Sequence, residues 1–179
     1  MPEFPAITFR SLAPDDLPML HRWLHNPAVT RWWHPAPGFD EVMAKYLPRI
    51  AGTAPIYCFV ASDGDTPFGY LQWYRLAENP GHPAAAWAGP GAAAVDLLIG
   101  EDAYRGRGLG ATMLRAFVRA IVFADPDIAT CFIDPHPENV AAIRSYRRAG
   151  FRDLGIGPVI ADGDAAWLLG WEREEDSTG

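Results

Sequence analysis

Apolar positions change their spacing several times along the chain, and each change marks an element. Ile7-Thr-Phe-Arg10 alternates as a short strand does. Pro14-Asp-Asp16 places a proline and acids at a helix start, and Leu17, Leu20 and Leu24 then recur at helical spacing until Asn26-Pro27. A second helical stretch, Phe39 to about Ile50, sets Val42, Met43, Tyr46 and Leu47 on one face. From Pro55 the period shortens. Ile56 to Ala61 and Phe68 to Leu76 read as antiparallel partners across the turn Ser62-Asp-Gly-Asp-Thr66. Asn79 to Gly91, rich in proline, glycine and alanine, reads as a mobile loop, and Ala94 to Ile99 as a further strand. Leu109, Met113, Leu114, Phe117, Val118 and Ile121 form a stripe suited to a helix packed on a sheet, ended by Asp125-Pro126. Thr130 to Asp134 is a strand, and Asn139 to Ala149 a helix with Gly150 as its C-terminal glycine. Two strands, near Phe151 to Gly155 and Ala165 to Trp171, precede a polar tail at about 172–179.

This mixed order predicts a single α/β (α+β) domain over residues 1–179. Its layers are a twisted, mixed, mostly antiparallel sheet of about six or seven strands flanked by helices. A chain of 179 residues is long enough to bury its own core. Composition adds little: 49% apolar and 21% charged residues are ordinary for a globular protein. The net charge of −7 argues against nucleic acid, which needs a basic face, and suits a small cationic partner. Cys58 and Cys131 lie in apolar β-rich runs and read as buried small hydrophobes. The five histidines show no metal-ligand spacing, so no metal is expected. No apolar run is long enough for a membrane span and no basic-then-apolar leader is visible, so a cytoplasmic protein is expected, either monomer or homodimer.

The chemistry concentrates in Arg105-Gly-Arg-Gly-Leu-Gly110, directly ahead of the helical stripe. Glycines at every second position let backbone N–H groups approach an anion, and the following helix points its positive dipole end at the same spot. The loop lacks the Gly-Lys-Ser/Thr of a Walker motif. Its third glycine also comes one residue too early for G-x-G-x-x-G. It reads as a pyrophosphate cradle.

The spacing Arg105-x-x-Gly108-x-Gly110 resembles the acyl-CoA signature of the GNAT acetyltransferases. Asp134-Pro-His-Pro-Glu-Asn139, Ala142-Ile-Arg-Ser-Tyr146 and Arg148-Ala-Gly-Phe151 resemble that family's second block, and the similarity covers roughly residues 55–171. Arg22-Trp-Leu-His-Asn-Pro and Thr30-Arg-Trp-Trp33 are similar to the branch of aminoglycoside 6′-N-acetyltransferases and siderophore-type acyltransferases, and the second block most resembles the aminoglycoside enzymes. The resemblance implies a GNAT fold and acetyl-CoA as co-substrate. It also implies acetyl transfer to an amino group of an aminoglycoside-like molecule by direct attack in a ternary complex. It places Arg105, Arg107, Gly108, Leu109 and Gly110 on the CoA pyrophosphate and Asn139 on the CoA arm. A backbone N–H near Leu97 or Leu98 would meet the thioester carbonyl. Asp96 becomes the carboxylate that binds or deprotonates the amine, and Tyr146 the acid for the thiolate. Tyr146 follows Asn139 by seven positions and shares its helix face.

The acceptor side is less legible. Trp32, Trp33, Trp73, Tyr74 and Trp87 are candidate aromatic walls, and Asp134 a second carboxylate. The corresponding loop of the resembled enzymes is acidic, whereas Asn79 to Ala94 here holds no acid. His82 in that loop is either a base or, as for most lone exposed histidines, without a role. Other amines stay open as acceptors (a siderophore precursor, a polyamine, a protein N-terminus), as does a non-catalytic acyl-CoA-binding module.

Overall fold

A computed structural model describes residues 6–33, 36–157 and 165–174; His34 and most of the expected polar tail lie outside them. Seven strands form one sheet in the order β1-β2-β3-β4-β5-β7-β6. They are β1 (Ile7–Ser11), β2 (Tyr57–Asp63), β3 (Thr66–Arg75), β4 (Ala92–Ile99), β5 (Thr130–Ile133), β6 (Arg152–Ile156) and β7 (Trp167–Glu172). All neighbours pair antiparallel except β4 and β5, as the mixed sequence pattern predicts. The helices are α1 (Leu17–Leu24), the single turn α2 (Pro27–Thr30), α3 (Phe39–Ile50), α4 (Leu109–Phe117) and α5 (Val140–Ala149). Pro48 sits in the last turn of α3 and does not end it, and α4 runs on through a π turn, Val118–Val122.

Alternation along the strands splits the core between the two faces of the sheet. Leu71, Trp73, Val95 and Leu97 face Met113, Leu114 and Phe117 of α4. Cys58, Val60, Tyr70 and Leu98 face Leu20, Trp23, Val42 and Tyr46 from α1 and α3. Both cysteines are buried and free, as expected. The segment read as a mobile loop is partly built: Pro83–Ala86 forms a 3-10 turn, and Ala84 packs fully buried beside Tyr74, Leu76, Phe132 and Leu168. Apolar alanines, not flexible glycines, decide that segment's fate.

The feature that positions the site is where the parallel pair fails. β4 and β5 are in register only from Ala92↔Thr130 to Ala94↔Phe132, and beyond that the two strands part. The second halves of β4 and the segment after β5 therefore open onto a cleft at the sheet's centre. Among the described residues, no helix is long and apolar enough to cross a membrane.

Candidate active site

One side of the cleft is built mostly from backbone. Gly106 and Gly108 adopt left-handed φ of 70° and 79°, and a Cβ at either would meet nothing within 4 Å, so the loop faces open space. Gly108 is the residue at the N-terminus of α4, whose first N–H groups lack helical partners. Gly110 leaves room for α5, since a Cβ there would come within 3.0 Å of the Ser145 hydroxyl. A cavity of about 400 Å³ runs from this loop along β4, lined among others by Leu97, Leu98, Ile99, Asn139 and Tyr146.

Alternation also decides which backbone groups face the gap. Gly100 N–H donates to Phe68 O on the β3 side, whereas Gly91 O accepts from Ala129 and Thr130 on the β5 side. The pleat therefore turns the peptide groups of Val95 and Leu97 toward the parted strand and those of Asp96 and Leu98 toward β3. Of the two candidates, Leu97 and Leu98, both line the groove, and the N–H turned toward the gap is that of Leu97.

The arginines also behave differently from expectation. The Arg105 guanidinium is taken up by Ile99 O (3.0 Å), Gly100 O (3.0 Å), Asn26 Oδ1 (3.3 Å) and the Asp102 carboxylate. It ties the loop to the end of β4, so its charge is largely compensated. Arg107 is exposed, bonds only Ala103 O at 3.3 Å and does not line the groove. The groups that the loop itself turns to the groove are its N–H groups.

The other side is built from side chains. A second cavity of about 280 Å³ holds Asp96, Asp134 and Gln72, walled by Trp32, Trp33 and His136. Leu97, Asn139 and Tyr146 line both cavities, so the two meet there. Asn139 caps α5, its Oδ1 accepting from Ala142 N–H at 3.2 Å, so its amide nitrogen remains for the cleft. Burial, and then the Asp96 and Asp134 charges, push the Tyr146 hydroxyl up from its ordinary range. It stays protonated at neutral pH.

Asp96 is the most perturbed acid of the site. Burial, followed by the negative charge of Asp134, pushes its carboxyl up to about 6, against the stabilising hydrogen bond from Gln72. Gln72 Nε2 donates to Asp96 Oδ2 at 2.7 Å, and its Oε1 accepts from Arg49 and from the Tyr70 hydroxyl, both at 2.7 Å. The Arg49 guanidinium lies 5.1 Å from the centre of the Tyr46 ring. Gln72 and Arg49 thus orient the carboxylate from behind. Sequence reasoning passed over both, although Gln72 is the lone polar residue within Phe68-Gly-Tyr-Leu-Gln-Trp-Tyr74.

Of the six residues expected on the acceptor side, Trp32, Trp33 and Asp134 line the cavity. Trp73 does not. It is 6% exposed and stacks on Tyr57 across the opposite sheet face, because strand alternation separates it from Gln72 next door. Trp87 is 49% exposed and lines neither cavity. His82, read as exposed, is 7% exposed at its side chain and lies 3.2 Å from Asp134. Among the described residues no group of three or more histidines, cysteines or acids could hold a metal.

Residues 13–157 match the acetyltransferase (GNAT) domain family. An aminoglycoside N(6')-acetyltransferase type 1 from Klebsiella pneumoniae is 30% identical over 167 residues, 92% of this chain and 82% of that protein. The crystal structure of aminoglycoside acetyltransferase AAC(6')-Ib in complex with coenzyme A and kanamycin superposes with a TM-score of 0.84 at 30% identity, covering 94% of this chain and 95% of that one. An N(6)-hydroxylysine O-acetyltransferase from Escherichia coli is 25% identical over 149 residues, 83% of this chain but 47% of that protein. Parted strands, glycine cradle and family match agree: the chain belongs to the GNAT acetyltransferases.

Proposed function

We propose that the chain transfers acetyl from acetyl-CoA to an amino group of an aminoglycoside-like small molecule, by direct attack within a ternary complex in the cytoplasm. The observation that carries this reading is the junction of two unlike cavities at Leu97, Asn139 and Tyr146, one offering backbone N–H groups and the other two carboxylates. The similarity to enzymes crystallised with coenzyme A and kanamycin supports both halves.

The open glycine loop and the α4 N-terminus fit a pyrophosphate, and the gap between β4 and β5 fits an extended pantetheine arm. Leu97 N–H then donates to the thioester carbonyl as its oxygen gains charge. Asp134 and Asp96 receive the acceptor ammonium. With a pKa of about 6, Asp96 is mostly ionised at neutral pH and basic enough to take the ammonium proton. The freed amine attacks the carbonyl carbon, the C–S bond breaks, Tyr146 gives its proton to the departing thiolate, and the second proton shed by the new amide nitrogen restores the tyrosine hydroxyl. Cys131 is buried, and burial pushes its thiol up, which leaves it unsuited to a covalent acyl-enzyme.

The test is a thiol-release assay with acetyl-CoA and a panel of aminoglycosides, spermidine, N6-hydroxylysine and a peptide. Turnover with an aminoglycoside is expected. Turnover only with one of the other amines overturns the acceptor assignment, and CoA binding without turnover on any overturns the enzymatic one.

A further inference from the structure

His82 is a histidine in an otherwise apolar turn, and the loop that carries it contributes no acid to the acceptor cavity. Its ring is nonetheless almost wholly covered. Nδ1 accepts from Ala84 N–H at 3.0 Å, which caps the 3-10 turn Pro83–Ala86. A backbone N–H can only donate, so Nδ1 carries a lone pair and the ring proton sits on Nε2. That nitrogen lies 3.2 Å from Asp134 Oδ1. The Tyr74 ring stands edge-on to the imidazole at 5.9 Å, closing its remaining side. Ala84, two residues on, is fully buried against the sheet, so the turn cannot shift without losing that packing.

Asp134 needs such a partner. It stands just past the end of β5, where the strand has left β4 while β7 still holds the chain, Pro135 O accepting from Trp167 N–H at 2.9 Å. Among the described residues, His82 is the one side chain hydrogen-bonded to its carboxylate, leaving Oδ2 for the cavity.

We propose that His82 is a positioning residue for acceptor recognition. It donates Nε2–H to Asp134 Oδ1 and so aims Oδ2 at the acceptor ammonium, leaving proton transfer to Asp96. The turn supplies a neutral donor where a charged loop would supply another carboxylate, and the cavity is thereby set for one ammonium. The inference rests on the acceptor-cavity reading of Asp134.

Two substitutions separate the two jobs of the ring. Asn at 82 keeps an acceptor for Ala84 N–H but cannot reach Asp134. Gln keeps a donor at the reach of Nε2 and gives up the cap. For His82→Asn, the KM for the acceptor rises about tenfold, kcat stays within about threefold and the KM for acetyl-CoA is unchanged, the size expected for a lost hydrogen bond to a charged group. His82→Gln restores most of the acceptor KM, and His82→Asn adds nothing in an Asp134→Ala background. An unchanged acceptor KM, or an equal rise in the Asp134→Ala background, overturns the proposal. A second readout needs no acceptor. The ¹⁵N spectrum of the folded protein should show His82 as the Nε2–H tautomer, with that proton perturbed by Asp134→Ala. A ring averaging between tautomers, or one blind to Asp134→Ala, would sink the idea even if no aminoglycoside is turned over.

Discussion

The donor groove and the acceptor cavity share a wall, yet they are made of different material. The groove presents backbone: the Gly106–Gly110 turn, the first N–H groups of α4 and Leu97 N–H. The cavity presents side chains from distant parts of the chain: Trp33 after α2, Gln72 on β3, Asp96 on β4 and Asp134 after β5. A backbone site is specified locally, by residues that permit a conformation. A side-chain site is specified by which strands become neighbours. The first depends on a few residues that permit a backbone conformation, whereas the second can change with single substitutions.

That contrast can be broken by substitution, with losses graded by distance from the reacting atoms. Asp96→Asn removes the proposed base. It should lower kcat by about 10³-fold, within the range for a lost general base, while CoA still binds by calorimetry. Tyr146→Phe removes the proposed proton donor and should cost about 10²-fold in kcat with both KM values nearly unchanged. Gly108→Val forces a β-branched residue into φ of 79° and should raise the KM for acetyl-CoA about tenfold, from strain on the order of 1–2 kcal/mol, without a matching change for the acceptor. Trp87→Ala, on an exposed side chain outside both cavities, should leave the acceptor KM within about twofold. A large effect there would return Trp87 to the acceptor wall.

The same contrast explains what could be read from the sequence. Element order, the parallel pair within a mostly antiparallel sheet, and the cradle were legible because each has a local signature: periodicity, turn residues, glycine spacing. Asp96 stood out as the one charge in an apolar strand and Asn139 with Tyr146 through the resemblance of their motif, and all three line one cavity. Trp73 and Trp87 were not separable from Trp33, because composition carries no face; one step along β3 moves a side chain from the acceptor cavity to the core behind the sheet. Arg105 looked like an anion ligand, and only the nearby carbonyls of Ile99 and Gly100 reveal it as a tie. Gln72, Arg49 and His82 act through residues 24 to 52 positions away or through a partner of one, a separation at which spacing says nothing.

The central claim is that two carboxylates share the acceptor cavity with unequal work, Asp96 taking the proton and Asp134 holding the ammonium. The direct test is the pH dependence of kcat/KM for the acceptor in three proteins. In the parent chain the acid limb should fall near the pKa of Asp96, about 6, with activity rising as the pH passes through it and the carboxyl ionises. Asp134→Asn removes a negative neighbour and should move that limb to lower pH. Gln72→Leu removes the hydrogen bond that favours the ionised form and should move it to higher pH. Opposite displacements of one limb support the account, and a limb that stays in place in all three proteins contradicts it.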